Sequence, residues 1–291
     1  MKYFLLAGIL FCSTAAMAQP RIVKQAVIST NTNVIAPENE DVQNIQGGSG
    51  GFSFRNFGDG ETKYTTIIGD SMVKTIIKNE MSRSSVIRNN NTKLTTTLLE
   101  IMGNKMGFYT TDEEMAAMRV KMDSVRQARR NADSTIPIPT RSDAANVEIS
   151  YVDGSKKVAG YNCKKALVIT TRILGNKDTV AVWYTPEIKF EYVASTGGTS
   201  SFGGFGSFGN FTSLNGLEKI DGFVMQYEMN MRRGRRMIVE VTKIDLNKEV
   251  SLKDFEIPKD FDVKPMKEFQ GMMQGGPGGQ QFRMMERPGG Q

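Results

Sequence analysis

No histidine occurs anywhere in the 291 residues. That absence removes Ser-His-Asp and Cys-His catalysis, and any zinc or iron site built on imidazole. Cysteine is almost as scarce. Of the two, Cys12 lies in an apolar N-terminal run, so a chain that loses that run keeps only Cys163 and cannot form an internal disulfide. Neither Gly-x-x-x-x-Gly-Lys-[Ser/Thr] nor Gly-x-Ser-x-Gly occurs, and the Gly103/Gly107 spacing and the Gly/Phe stretch at 197–210 carry no phosphate-loop signature. No segment approaches the ~20 consecutive apolar residues of a membrane-spanning helix. Basic residues are not interleaved with aromatics in a stripe, so the net charge of +6 gives no reason to expect a nucleic-acid partner. It reads as a solubilising surface, compatible with resting near anionic head groups. No cofactor is expected.

The N-terminus reads as an export signal. Lys2 supplies a short positive region, Phe4 to Cys12 an apolar core, and Ala16-Met17-Ala18 a small-x-small cleavage site. Cleavage after Ala18 would make Gln19 the first mature residue and place the protein in the periplasm or outside the cell. The competing reading is a lipoprotein acylated on Cys12, but Leu10 and Phe11 stand where small residues are usual.

The rest of the chain is predicted to be mainly β with one helix, an α+β arrangement. Residues 19–60 read as a strand over Ile22–Thr30 followed by a long Asn-, Glu- and Gly-rich loop from Asn31 to Gly60. From Tyr64 onward, short runs rich in Thr, Ile, Val and Tyr are separated by turn pairs. Examples are Gly69-Asp70, Asn89-Asn90-Asn91, Gly103-Asn104, Asp153-Gly154 and Gly175-Asn176. Such spacing predicts antiparallel hairpins rather than βαβ units. Over 112–131 the pattern changes: Met115, Met118, Met122 and Val125 recur at helical spacing, with Asp112, Glu113 and Glu114 at the start and Arg129 and Arg130 at the end, complementing the helix dipole. Phe223, Met225, Tyr227, Met229 and Met231 alternate with polar or smaller residues, as on one face of a strand. The Met/Gly/Gln-rich stretch over 265–291 is expected to be a disordered tail.

Gly160-Tyr161-Asn162-Cys163-Lys164-Lys165, followed by Val182-Trp183-Tyr184-Thr185-Pro186-Glu187-Ile188, resembles the GYxCKKA…VWYTPEI signature of uncharacterised Gram-negative envelope proteins related to the GLPGLI type. Phe255-Glu256-Ile257-Pro258 is similar to their F-x-I-P ending, and the likeness spans roughly 60–262. Those families are distantly similar to lipoprotein carriers of the LolA/LolB-like kind. The resemblance implies a curved antiparallel sheet or open half-barrel over 61–264 with the helix as a lid, and it brings no catalytic residues. The partner it implies is a lipid or lipoprotein, with contact at the outer-membrane surface.

Met115, Met118, Met122, Trp183, Tyr184, Met225 and Tyr227 are the candidate ligand-binding residues, against the alternative that they are ordinary sheet and core packing. Arg232, Arg233, Arg235 and Arg236 form a candidate membrane or partner contact, or a solvated hairpin tip. Cys163 reads either as a reactive thiol or as a buried small residue. Met266, Met272, Met273, Met284 and Met285 offer soft sulfur to Cu(I), against a plain tail, and no metal is assigned. The expected function is a non-catalytic periplasmic protein that binds or shields an apolar ligand, a lipid or a lipoprotein acyl chain. The alternatives are a structural or interaction protein of the outer envelope and a periplasmic Cu(I) binder. A hydrolase using carboxylates alone stays open. N-terminal sequencing of the exported protein is expected to begin at Gln19; Met1, or an acylated Cys12, would refute that.

Overall fold

The computed structural model describes residues 20–36, 60–80, 82–101, 103–132, 146–171, 177–190, 217–231 and 234–268. The leader at 1–18, most of the loop up to Gly60, the Gly/Phe stretch and the Met-rich end beyond 268 lie outside them. The fold is mainly β, a large curved sheet that does not close into a barrel. In chain order the strands are β1 (Arg21–Val23), β2 (Ala26–Ile35), β3 (Gly60–Ile68), β4 (Met72–Lys78), β5 (Ser82–Asn89), β6 (Leu94–Ile101) and β7 (Asn104–Thr111), then helix α1 (Asp112–Ala132). They continue with β8 (Asn146–Val158), β9 (Tyr161–Thr171), β10 (Lys177–Thr185), β11 (Ile188–Phe190), β12 (Phe223–Asn230), β13 (Arg236–Asp245) and β14 (Asp262–Pro265).

Twelve strands make one sheet in the order β14-β7-β6-β5-β4-β3-β2-β13-β12-β10-β9-β8, and β1 pairs with β11 apart from it. The antiparallel expectation holds for ten of the eleven ladders in the large sheet. The exception there is β14 on β7, which is parallel, as is the separate β1–β11 pair; neither is joined by a hairpin, so neither is held to antiparallel pairing. β13 and β8 are separated by β12, β10 and β9. In a flat sheet those four steps would hold them about 19 Å apart. Their Cα atoms instead approach within 8 Å, so this end of the sheet curls strongly.

Three sequence expectations need correction. The first strand does not stop at Thr30. β2 runs on to Ile35 because β3 and β13 flank it and supply ladder partners to Asn31, Thr32 and Asn33, outweighing the low strand propensity of Asn. β2 thus sits in the middle of the sheet, and the folded domain begins well before residue 61. Second, Asp153-Gly154 is no turn but a bulge in β8, where the register shifts between Val152 and Ser155. Gly154 adopts φ +150, and a Cβ there would lie 3.2 Å from the Lys165 side chain. The chain actually reverses at Ala159-Gly160, both at positive φ (49 and 86), a two-residue loop of the kind that matches strand twist. Third, the tail does not begin at 265. Pro265 belongs to β14, and Met266 is buried against Leu99 and Phe108.

The two faces of β3–β7 are covered differently. On one, Ile67, Ile87 and Leu98 pack against Val250 and Phe255 of the C-terminal segment, with Phe261 and Val263 at the margin. Phe255 rides on a 3-10 turn, Leu252–Phe255, and Lys74 Nζ donates to the carbonyls of Asp254 (2.8 Å) and Glu256 (3.4 Å). Burial in turn depresses the Lys74 pKa. The other face carries α1. Thr111 caps it reciprocally with Glu114: the Glu114 N–H donates to Thr111 Oγ1 (3.2 Å) and the Thr111 N–H to Glu114 Oε2 (3.1 Å). Arg88 holds Asp112 through two parallel hydrogen bonds of 2.6 and 2.7 Å, so the first helical turn is tied to β5.

Since Met266 fills the space between Leu99, Phe108 and Met118, Met266→Ala is expected to destabilise the protein by about 2–5 kcal/mol. Truncation after Lys264 should lower the urea midpoint as well. An unchanged midpoint in both variants would show that the contact contributes nothing.

Candidate functional site

Residues paired across antiparallel strands point to the same face, so the ladder registers define what the helix-bearing face displays. One row reads Val241, Thr30, Tyr64, Ile77, Ser84, Leu99, Met106 across β13, β2, β3, β4, β5, β6 and β7. The next reads Ile28, Thr66, Thr75, Val86, Thr97, Phe108. A third runs the other way, from Thr32 through Val239 and Tyr227 to Val182 and Ala166. The face therefore has apolar ends and, in its middle, hydroxyls beside Ile28 and Val241, which belong to a packed cluster with Val23, Ile188, Phe190, Phe223 and Met225. At one end Leu99, Phe108 and Met266 cluster with Met106 and Met118 of α1. At the other, Ala166, Val168, Val180, Val182 and Tyr184 lie under Leu217 and Ile220 of a short 3-10 turn.

Between them Thr30, Thr32, Thr66, Thr75, Ser84 and Thr97 are all buried. None of the positions in these three rows is charged. Thr66 and Thr75 hydroxyls meet at 3.3 Å, and the Tyr64 phenol is hydrogen-bonded to Thr32. Thr30 Oγ1 is buried and has no hydrogen-bond partner. Burial, and secondarily the neighbouring Tyr64 phenol, pushes the Tyr227 phenol up to about 12. Burial also raises that of Tyr64. Both stay protonated at neutral pH and can donate hydrogen bonds.

The expected binding residues are distributed over this framework unevenly. Tyr227 lies on the helix face, and Met118 packs at its apolar end. Met115 is half-buried on α1, and Met122 belongs to the helix, but its side chain lies outside the described residues. Met225 is 1% exposed, packed into the cluster of Ile28, Phe190, Phe223 and Val241, which makes it core and not a ligand contact. Trp183 and Tyr184 do not share a site. Tyr184 is buried in the Val182 cluster with its ring edge-on to Tyr151 at 5.6 Å, whereas Trp183 packs against the Ile28 cluster. A register shift between the two residues separates them further. The Trp183 ring, half-buried, lies beneath Lys156 at 4.5 Å and Lys165 at 5.8 Å, and Lys156 Nζ donates to Gln226 Oε1, which holds that ammonium over the ring.

Arg236 is paired with Glu228 at 3.3 Å, and the Arg235 carbonyl accepts from the Met231 N–H at 2.7 Å, as in a hairpin end. Arg232 and Arg233 lie outside the described residues. Cys163 is buried, and burial raises its pKa, so the thiol is poorly reactive. Of the Cu(I) candidates only Met266 is described, and its sulfur is in the core. Among the described residues no group of three or more Cys, Asp or Glu side chains is arranged to hold a metal. The residues missed from sequence are the hydroxyls of the central rows. Their one signal is the frequency of Thr at alternate positions, which strand propensity explains equally well.

The motifs that carry the family resemblance also have structural work. Glu187 Oε1 accepts from the Asn162 N–H (3.2 Å) and its carbonyl from the Arg21 N–H (2.8 Å), so the second motif is stitched to the first and to β1.

The chain belongs to the family described as a domain of unknown function (DUF4412), whose model matches residues 60–261. No curated protein matches it. Among solved structures it is similar to two crystal forms of PNGF-II, at 14% and 12% identity, covering 86% and 85% of this chain, with TM-scores of 0.36 and 0.35. The chain spans about a third of the length of those proteins, 33% and 32%. A domain from Vibrio parahaemolyticus named for outer membrane lipoprotein sorting matches at 8% identity over 82% of this chain and 92% of its own, with a TM-score of 0.22. Likenesses this distant carry no argument about function.

The tyrosine environment makes a pH prediction. A phenol whose folded pKa is raised binds its proton more tightly in the folded state. Its contribution is therefore complete below the unfolded value of 10.0 and is lost as pH rises towards about 12. Urea midpoints are expected to fall across that window, and Tyr227→Phe should flatten the slope. An identical slope in the variant would show that Tyr227 titrates normally.

Proposed function

We propose that this protein is a non-catalytic binding protein of the cell envelope that holds an apolar or amphipathic molecule against the helix-bearing face of its sheet. The observation that carries the reading is the composition of that face: uncharged residues across three ladder rows, bounded by two apolar clusters that α1 and the Leu217–Lys219 turn flank. Pockets that take small apolar ligands have this make-up, mostly apolar with a few convergent polar groups. The sequence features of an export leader at Met1–Ala18 support an envelope setting.

In this reading α1 is the movable cover. Its attachment is strong at the first turn, through Arg88 and Asp112, and apolar further along, through Met118. Met side chains suit such a role because they are flexible and polarizable. The reading is tested with an environment-sensitive fatty-acid probe. Saturable binding is expected in the wild type, with Met115→Gln/Met118→Gln weakening it about tenfold or more while the domain stays folded. A wild type that binds no apolar probe would overturn the reading in favour of a structural or interaction role in the envelope.

A further inference from the structure

Thr30 stands at the centre of the helix-bearing face, and it is the one residue of the central rows whose side chain is both buried and unsatisfied: it is 3% exposed and its Oγ1 has no hydrogen-bond partner. A buried hydroxyl left unpaired is costly, and native proteins keep few of them. Its neighbours in the ladder are Val241 on one side and Tyr64 on the other. Tyr64 in turn sits beside Tyr227, and Thr32 is hydrogen-bonded to Tyr64. Thr30 thus borders phenol and hydroxyl groups with no charge among them on one side, and Ile28 and Val241 of the packed cluster on the other.

The position of this patch along the sheet is symmetric. Counting from β2, Leu99 on β6 lies four strands away in one direction and Ala166 on β9 four strands away in the other. Along the sheet surface each distance is about 19 Å. A molecule lying across the strands would cross the hydroxyls and reach the two apolar clusters by displacing Met118 and Met266 at one end and Leu217 and Ile220 at the other. We infer that the ligand of this face is an acyl lipid bearing an uncharged oxygen function, a hydroxyl or an ester, between two apolar limbs, with Thr30 as the hydrogen-bonding partner of that oxygen. This rests on the proposed binding role and specifies its ligand class.

An ionised group is excluded from the same place by the physics of burial. A carboxylate or phosphate over Thr30 would be desolvated with no cation in the three rows to compensate it. Arg88, on the same face of β5, is already committed to Asp112, Thr95 and the Lys93 carbonyl. A neutral oxygen has no such cost and can both accept from the Thr30 hydroxyl and donate to it.

The test compares methyl hydroxystearate, with its hydroxyl at mid-chain, and methyl stearate as competitors of the fatty-acid probe on the full-length protein. The wild type is expected to prefer the hydroxylated ester about three- to tenfold, the range of one net hydrogen bond. Thr30→Val keeps the shape and removes the hydroxyl, so the preference should fall to near one, with methyl stearate bound as before and the thermal midpoint unchanged or higher. Thr30→Ser should restore the preference, and it serves as the reporter if the valine variant fails to fold. Equal binding of the two esters by the wild type, or a preference that survives in Thr30→Val, overturns the assignment while leaving an apolar-binding role standing. A wild type that binds the probe and neither ester also overturns it. Failure of the probe itself to bind removes both.

Discussion

The pairing of β2 with β13 is the contact on which the rest of the structure depends. β2 comes from the beginning of the chain and β13 from near its end, and their ladder runs from Ala26's neighbour Val27, opposite Asp245, to Ile35, opposite Arg236. On its other edge β2 pairs with β3 over nearly its whole length. Without β2 the sheet would separate into two pieces, one of β3–β7 with β14 and one of β8–β10 with β12 and β13. Each would expose an unpaired edge in the middle of the molecule. The helix-bearing face is continuous only because β2 bridges the two, and Thr30 and Thr32 are the residues it contributes there. Long sequence separation makes this closure entropically expensive, so it is natural for the hairpins on either side to form first and for β2 to lock them together.

Once the two halves are joined, each needs its own cover. The β3–β7 half is sandwiched: the C-terminal segment packs Val250 and Phe255 on one face, and α1 with Met266 packs on the other. The other half covers itself instead. The bulge at Gly154 and the Ala159-Gly160 turn let the β8–β9 hairpin bend until Val158 and Cys163 join Ala26, Ile28 and Ile68 in one cluster. Small residues make that approach feasible, which gives Cys163 a packing role and explains why its thiol is sealed off. The same bend sets Lys156 over Trp183.

The hydroxyl rows are the part of the molecule that packing alone does not account for. A sheet designed only for stability would place Val or Ile at Thr30, Thr66, Thr75 and Thr97, which are β-branched at comparable size but apolar. Mutual hydrogen bonding compensates some of them, as between Thr66 and Thr75. Thr32 is compensated by the Tyr64 phenol, and Thr30 is the residue of these rows whose hydroxyl is left without a partner.

The sequence by itself determined the mainly β character, the hairpins around Gly69, Asn89 and Gly103, the helix from Asp112, and the alternation of Phe223, Met225, Tyr227 and Met229, because turn chemistry and side-chain period are local properties. Tertiary structure alone decided that Asn31 to Ile35 would be strand, that Asp153-Gly154 would be a bulge, and that Met266 would be core, since each depends on a partner far along the chain. It also decided the candidate site. Alternation places Trp183 and Tyr184 on opposite sides of one strand, yet nothing in their order says which cluster each will join. The Thr and Tyr positions that line the helix-bearing face come from strands whose register is set by ladder pairing across the whole sheet. A threonine reads the same in a sequence whether its hydroxyl meets water, another threonine or a space left between two apolar clusters; only the register of its neighbours separates these cases.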